Sequence, residues 1–346
     1  MKKVSVAVIG VGAVGIEMLR VIKQRNFPFS ALRVFARSSR EIEVDGDTYQ
    51  VETLDEADLT AIDIALFAGT EGEKGAAVRY AEKFIDKGAF VIDNGADFRL
   101  CDNVPLVVPE ANGESITKDT KLIANPNCTT IQMIVALANI YKLFGLKQII
   151  LTSFQATSGG GKSAAEELLT QTREVLDNNQ GKNLIELDKF VKEKYEVFPD
   201  QIAFNVIPKI GGFSDDNYTS EELKVVHETH KILSNKNIKV NSTCVRVPVF
   251  TSHSESIYFT TEKDASLNDI EKALVNSLGV KFFAAADKYP LPLNIEGKDE
   301  VFVGRLRRDS FNKNSFCLWA VADNLRKGAA TNAVQIAETL LKRKLI

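Results

Sequence analysis

Val4-Ser5-Val6-Ala7-Val8-Ile9-Gly10-Val11-Gly12-Ala13-Val14-Gly15 is the stretch whose reading decides the fold. Its first half is rich in Val and Ile and reads as a strand, and a helical pattern follows over residues 16–24. Glycines between a strand and a helix let backbone N–H groups approach a pyrophosphate at the helix N-terminus, where orphan donors and the helix dipole favour an anion. The contacts expected on that reading are Gly10, Val11, Gly12, Ala13 and Val14. A purely structural tight turn is the alternative.

Strand-like runs recur outward from this turn at residues 32–35, 62–67, 90–92 and 121–124, and Ala76, Tyr80 and Phe84 mark a helix between two of them. Such alternation predicts an α/β fold with a parallel, doubly wound sheet of the Rossmann type. An NAD site usually carries an acidic residue after the second strand to bind the ribose hydroxyl. This chain has Ala36-Arg37-Ser38-Ser39-Arg40 instead. Guanidinium forks and hydroxyls suit a 2′-phosphate, so Arg37, Ser38 and Ser39 point to NADP rather than NAD. A solvated loop is the plainer reading.

The next helical pattern, over residues 129–144, is apolar almost all round and should be buried, with Cys128 at its start. From residue 148 the character changes to strand-like runs at 149–155, 204–207, 239–248, 254–260, 301–307 and 316–322, mixed with helices, which reads as an α+β domain. Residues 176–196, polar and rich in Lys, Glu and Asn, read as a surface helical insertion. A last helix over 330–341 carries Ala330, Val334, Ala337 and Leu341 on one stripe and is expected to pack back on the first domain. The expected division is residues 1–127 plus 325–346 for cofactor binding and 128–324 for catalysis and dimerisation.

At 346 residues the chain is long enough for two domains, each with its own core. A net charge of −3 offers no basic field for nucleic acid or an anionic membrane. No apolar run reaches the ~20 residues of a membrane span or the length of a signal-peptide core, so a cytoplasmic location is expected. Cys101, Cys128, Cys244 and Cys317 lie far apart without a Cys-x-x-Cys pair, which argues against a metal site and against a disulfide framework.

Asn125-Pro126-Asn127-Cys128-Thr129-Thr130 puts a cysteine where a loop enters a buried helix, a position that lowers a thiol pKa from ~8.5 toward neutrality. Position alone leaves open whether Cys128 is reactive or an inert core residue. Among the three histidines, His227 and His230 share a helix and read as a surface pair, whereas His253 follows Arg246-Val247-Pro248 in a turn between strands and is better placed as a base. Thr219 and Glu222 form a capping box; Glu221 and Lys224 share a face and read, on spacing alone, as an exposed pair. Arg99 and Arg246 are anion candidates, with structural ion pairs the alternative. Gln155 ends a strand before Thr157-Ser158-Gly159-Gly160-Gly161, a second loop able to approach a cofactor.

Taken together, the cysteine motif at 125–130, Ser153-Phe154-Gln155-Ala156-Thr157-Ser158-Gly159, Phe204-Asn205-Val206-Ile207-Pro208, Arg246-Val247-Pro248 with His253 beyond it, and Asp323-Asn324-Leu325-Arg326-Lys327-Gly328-Ala329-Ala330 resemble the bacterial aspartate-semialdehyde dehydrogenases over nearly the whole chain. The resemblance implies NADPH-dependent reductive dephosphorylation of L-aspartyl 4-phosphate to aspartate 4-semialdehyde, with release of phosphate, on the route to lysine by way of diaminopimelate, threonine and methionine. It implies Cys128 as nucleophile, His253 as acid/base catalyst and Gln155 as a positioning group. It further implies Arg246 for the α-carboxylate, Glu221 for the ammonium, and Arg99 with Lys224 for the phosphate. Ser158, Gly159 and Asn324 would contact the cofactor, and a homodimer or homotetramer is expected. The chain departs from the family in its shorter glycine loop, Gly-x-Gly-x-x-Gly in place of Gly-x-x-Gly-x-x-Gly, and in Arg37-Ser38-Ser39-Arg40 where Arg-Ser-Ala-Gly is usual. The competing readings are a related acyl-phosphate or acyl-CoA reductase using thioester chemistry, such as N-acetyl-glutamyl-phosphate reductase, and a silent cofactor-binding protein or redox sensor. The last has no need for Cys128, Gln155, Arg246 and His253 at once.

Overall fold

β1 (Val4–Ile9) is the spine of the first sheet, and its apolar side chains, Val4, Val6, Ala7, Val8 and Ile9, are 0–2% exposed. Each Val or Ile buried this way contributes roughly 1.5–3 kcal/mol. The computed structural model describes residues 2–55, 57–69, 75–183, 185–187 and 195–346. Around β1 stand β2 (Phe29–Ala36), β3 (Arg40–Val44), β4 (Asp47–Thr53), β5 (Ile64–Phe67), β6 (Phe90–Asp93) and β7 (Leu122–Ala124), in the order β3-β4-β2-β1-β5-β6-β7. All pair in parallel except β3 with β4, a hairpin at the sheet edge turned at Asp45 and Gly46, both in the left-handed region. The expected parallel sheet is thus a mixed one at this edge.

Helix α1 (Ala13–Gln24) starts directly after Gly12, three residues before the predicted onset. Gly15 permits this, because any Cβ there would overlap the carbonyl oxygen of Gly10 and push the helix off the strand. α2 (Ala76–Asp86) covers the opposite face through Tyr80, Ala81 and Phe84. After the short α3 (Pro109–Asn112), helix α4 (Cys128–Phe144) runs through the interior, its residues from Thr129 to Leu137 all buried.

The second sheet holds β8 (Leu146–Gln155), β9 (Lys239–Arg246), β10 (His253–Thr261), β11 (Val280–Phe282), β12 (Val301–Arg308) and β13 (Ser315–Ala322), in the order β11-β12-β13-β10-β8-β9. One face packs on α4, α6 (Ser220–Ile232) and α7 (Leu267–Val275) through Leu151, Ile257, Phe259 and Leu318. The other face carries Ile150, Trp319 and Phe154, and Ile150 is exposed. α5 (Lys162–Asp177) and α8 (Pro292–Ile295) lie beside this sheet. A π-helical turn, Arg326–Ala330, then leads into α9 (Thr331–Lys342), whose Val334, Ala337, Leu340 and Leu341 complete the core of the first sheet, as its stripe predicted. No helix among the described residues is long and apolar enough to cross a membrane.

Two readings are corrected. Residues 204–207 are not a strand: Phe204 has φ +59° and only Ile207 bridges to Arg246. Of the expected helical insertion at 176–196, the helix ends at Asp177 and the described residues up to 187 form turns; 184 and 188–194 lie outside the described residues.

Candidate active site

α4 begins at Cys128 because Asn127 caps it: the Asn127 side-chain oxygen accepts the N–H groups of Thr129 (2.9 Å) and Thr130 (3.3 Å). Cys128 opens on a pocket of about 460 Å³, lined also by Asn94, Arg99, Gln155, Ser158, Gly159, Glu221, Lys224, Arg246 and Asn324. From the far side the N-terminus of α1 enters with Gly12, Ala13 and Val14. The residues singled out in the sequence that line the pocket therefore converge from five places: the loop after β6, the α4 start, the ends of β8 and β9, the start of α6 and the loop after β13.

Acidic groups of α6 organise the floor. Glu221 accepts from Asn127 Nδ2 at 2.9 Å and from Gln155 Nε2 at 3.2 Å, and lies 3.6 Å from Lys224 Nζ. Glu222 closes the predicted capping box on Thr219 and also accepts the Cys244 N–H. Glu228, two helical turns beyond Glu221 and 1% exposed, pairs with Arg99 at 3.1 Å. The sequence reading missed it, although the i+7 spacing from Glu221 on one helix face was the signal that could have found it.

Arg246 ends β9 and donates to the Ala156 carbonyl at 2.7 Å. His253 is the first residue of β10, fully buried, rather than a turn residue, and does not itself line the pocket. Its Nδ1 accepts the Ala156 N–H at 3.0 Å. A backbone N–H can only donate, so the neutral ring carries its proton on Nε2, an atom with no partner among the described residues. Gly159, which lines the pocket, lies beside that atom: a Cβ on Gly159 would sit 2.9 Å from Arg246 Nη1 and 3.2 Å from His253 Nε2. Burial and the charge of Arg246 hold the imidazole well below its usual 6.5, so it is neutral.

The thiol departs from expectation. Burial, and then the charge of Glu221, push Cys128 up to about 12, against the opposing pull of Arg246 and Arg99. The lowering expected at a helix start is outweighed because α4 starts inside the protein. Cys128 is also closed in from behind, where a Cβ on Gly328 in the π-helical turn would lie 2.8 Å from its own Cβ.

Ser158 and Asn324 meet: the Asn324 amide and the Ser158 hydroxyl are 3.0 Å apart, and the Ser252 N–H donates to Asn324 Oδ1. A second cleft of about 620 Å³ shares Gly12 with the pocket and runs past Gly10 and Val11 to Arg37 and Arg40. Neither Ser38 nor Ser39 lines it, and Arg40 Nη1 donates to the Ser38 hydroxyl at 3.0 Å. The residues fit a dinucleotide. The α1 N-terminus has no side-chain cap, nothing lies within 4 Å of a Cβ placed on Gly12, and the cleft leads from two arginines to the cysteine pocket.

The glycine turn and the cysteine-centred pocket adjoin, sharing Gly12. Residues 5–119 match the family described as semialdehyde dehydrogenase, NAD binding domain, and residues 137–327 that described as semialdehyde dehydrogenase, dimerisation domain. The chain is 46% identical over 352 aligned positions to the aspartate-semialdehyde dehydrogenase of Aquifex aeolicus, covering 99% of each chain. It is 41% identical to that of Bacillus subtilis, over 99% of this chain and 98% of the other. The crystal structure of aspartate semialdehyde dehydrogenase II complexed with ASA, from Vibrio cholerae, superposes with a TM-score of 0.90 at 41% identity over 99% of both chains. The chain belongs to the aspartate-semialdehyde dehydrogenase family.

Proposed function

We propose that the protein carries out the NADPH-dependent reductive dephosphorylation of L-aspartyl 4-phosphate to L-aspartate 4-semialdehyde, through a thioester on Cys128. The observation that carries this reading is the pocket shared by the thiol, Gln155, Arg246, Glu221, Lys224, Arg99 and the uncapped α1 N-terminus.

Arg246 receives the substrate α-carboxylate and Glu221 its ammonium, and a ligand lacking either charge leaves a buried ion without its partner. Pairing of Glu221 with the ammonium also removes a charge that holds Cys128 protonated. The sulfur then attacks the acyl carbon as the carbon–oxygen bond to phosphate breaks; the thiol proton leaves with the phosphate, and Arg99 and Lys224 offset the remaining charge of that group. Gln155, fixed by Glu221 and Ser153, holds the acyl group in place. The nicotinamide, when bound, supplies hydride to the thioester, a better acceptor than a carboxylate. His253 presents its Nε2 proton to the oxygen on which charge develops, and Cys128 leaves as the aldehyde forms.

NADP is the preferred cofactor on this reading, with Arg37 and Arg40 on the 2′-phosphate, Gly10 to Val14 on the pyrophosphate, and Ser158, Gly159 and Asn324 near the nicotinamide. The chain divides into a cofactor domain of residues 1–127 plus 325–346 and a catalytic and dimerisation domain of 128–324. Two copies associate through the open face of the second sheet, where Ile150, Tyr289 and Leu291 are exposed, in a cytoplasmic homodimer.

The test follows NADPH formation from aspartate semialdehyde, NADP and phosphate, with NAD and phosphate-free controls. Phosphate-dependent reduction of NADP is expected; no signal with either cofactor would send the reading to the acyl-phosphate and acyl-CoA relatives. Cys128→Ala should abolish turnover and leave NADP binding intact.

A further inference from the structure

We infer that Glu228 is a positioning residue that couples the phosphate-binding arginine to the nucleophile. The inference rests on the reading of Arg99 as a phosphate ligand. Glu228 lies on the pocket side of α6 and touches neither cavity, yet its two oxygens serve two separate parts of the site. Oε1 accepts from Arg99 Nη1 at 3.1 Å, and Oε2 accepts the backbone N–H of Asn127 at 2.7 Å.

Each partner is itself anchored at a second point. Arg99 Nη2 donates to the Asn94 carbonyl at 2.9 Å, so the guanidinium is held from two sides while it lines the pocket. Asn127 is held by both carboxylates of the α6 face, its backbone by Glu228 and its side-chain amide by Glu221, and the next residue is Cys128. Only a carboxylate on a side chain of this length can accept both donors. Glutamine offers one acceptor oxygen and a competing donor, and aspartate is a methylene short. A residue that served only to neutralise Arg99 would have no need to hold the Asn127 N–H, and a plain cap for α4 would have no need of charge.

The test uses the full-length enzyme in the oxidative direction. In Glu228→Gln the KM for inorganic phosphate should rise about tenfold or more while the KM for aspartate semialdehyde stays within about twofold. Combined with Arg99→Met, the same substitution should raise the phosphate KM no further. Alkylation of Cys128 by iodoacetamide without substrate should slow or shift in pH, a readout independent of the assigned reaction. NADP binding and the melting temperature serve as folding controls. If Glu228→Gln does not fold, Glu228→Asp is scored the same way.

A folded variant with both the phosphate KM and the alkylation rate within twofold of wild type overturns the inference, as do effects fully additive with Arg99→Met. Failure of both variants to fold leaves Glu228 a structural role alone and also overturns it. A wild-type enzyme with no phosphate-dependent activity instead overturns the functional reading, and the alkylation comparison still decides whether Glu228 governs Cys128.

Discussion

The N–H of Ala156 donates to His253 Nδ1 at 3.0 Å, and this one contact makes His253 a proton donor toward the pocket. Protonating the ring at Nδ1 would set two hydrogens against each other and cost the contact. Burial and Arg246 already depress this imidazole below 6.5, so the unfolded chain takes up a proton near pH 6.5 that the folded protein refuses. His253 therefore destabilises the fold as pH falls through 6.5 toward the lower folded value. Urea midpoints at pH 7.5 and 5.5 should show this loss, and His253→Gln should reduce it while lowering kcat by about 10²–10⁴-fold. A ring that titrates near 6.5 by NMR in the native protein would sink the assignment.

Glu221 opposes ionisation of Cys128, and Arg246 favours it. Glu221→Gln should lower the thiol pKa and make alkylation at pH 8 several-fold faster, even as the KM for aspartate semialdehyde rises. Arg246→Gln should do the reverse to the thiol. Measuring iodoacetamide rates from pH 6 to 10 checks both signs, and equal profiles in all three proteins would contradict the electrostatic account.

Gly328 leaves no room for a methyl group against Cys128. Gly328→Ala should cost about 1–3 kcal/mol of stability through overpacking. Because the strain falls on Cys128, the proposed nucleophile, turnover should fall further than the melting temperature implies. Activity retained alongside a lowered melting temperature would show that the turn moves independently of the thiol.

Glu255 lies one row below His253 on the inner face of β10, opposite Ser153 and Ala320, fully buried, and neither of its carboxyl oxygens has a partner among the described residues. Burial raises its pKa well above 4.5, so the folded protein keeps a proton that the unfolded chain releases. Its stabilising contribution is complete below pH 4.5 and is lost as pH rises through the folded value. Glu255→Gln should therefore gain stability relative to wild type between pH 5 and pH 8, read from denaturation midpoints; a constant difference across that range would argue against a protonated carboxyl.

Arg37 and Arg40 lie at the far end of the cofactor cleft. Replacing both with alanine should raise the KM for NADP at least tenfold and leave that for NAD nearly unchanged. Equal losses for the two cofactors would remove the 2′-phosphate from this end.

Legibility in the sequence followed burial. β1, α4 and α9 announced themselves because strands and helices enclosed by protein must be apolar in the right period. The β3–β4 hairpin was legible too but was passed over: Glu41-Ile42-Glu43-Val44 and Thr48-Tyr49-Gln50-Val51 alternate polar and apolar, with Asp45-Gly46 as the turn signal between them. In the site, Cys128, Gln155 and Arg246 stood out at element boundaries. Glu228 lay mid-helix among other charges, where only the contact with Asn127 distinguishes it from a solvated face. The direction of the Cys128 shift was misread because burial, its larger cause, outweighs the pull of a helix start, and Glu221, brought close by folding alone, adds to it.

Gly328 and Cys128 pack against each other across 200 positions of sequence. On the ribosome, Cys128 is therefore made long before the surface that closes over it. A nascent chain carrying the whole cysteine motif and most of the second sheet still lacks Gly328, so the thiol is closed in from behind by one of the last residues to be made.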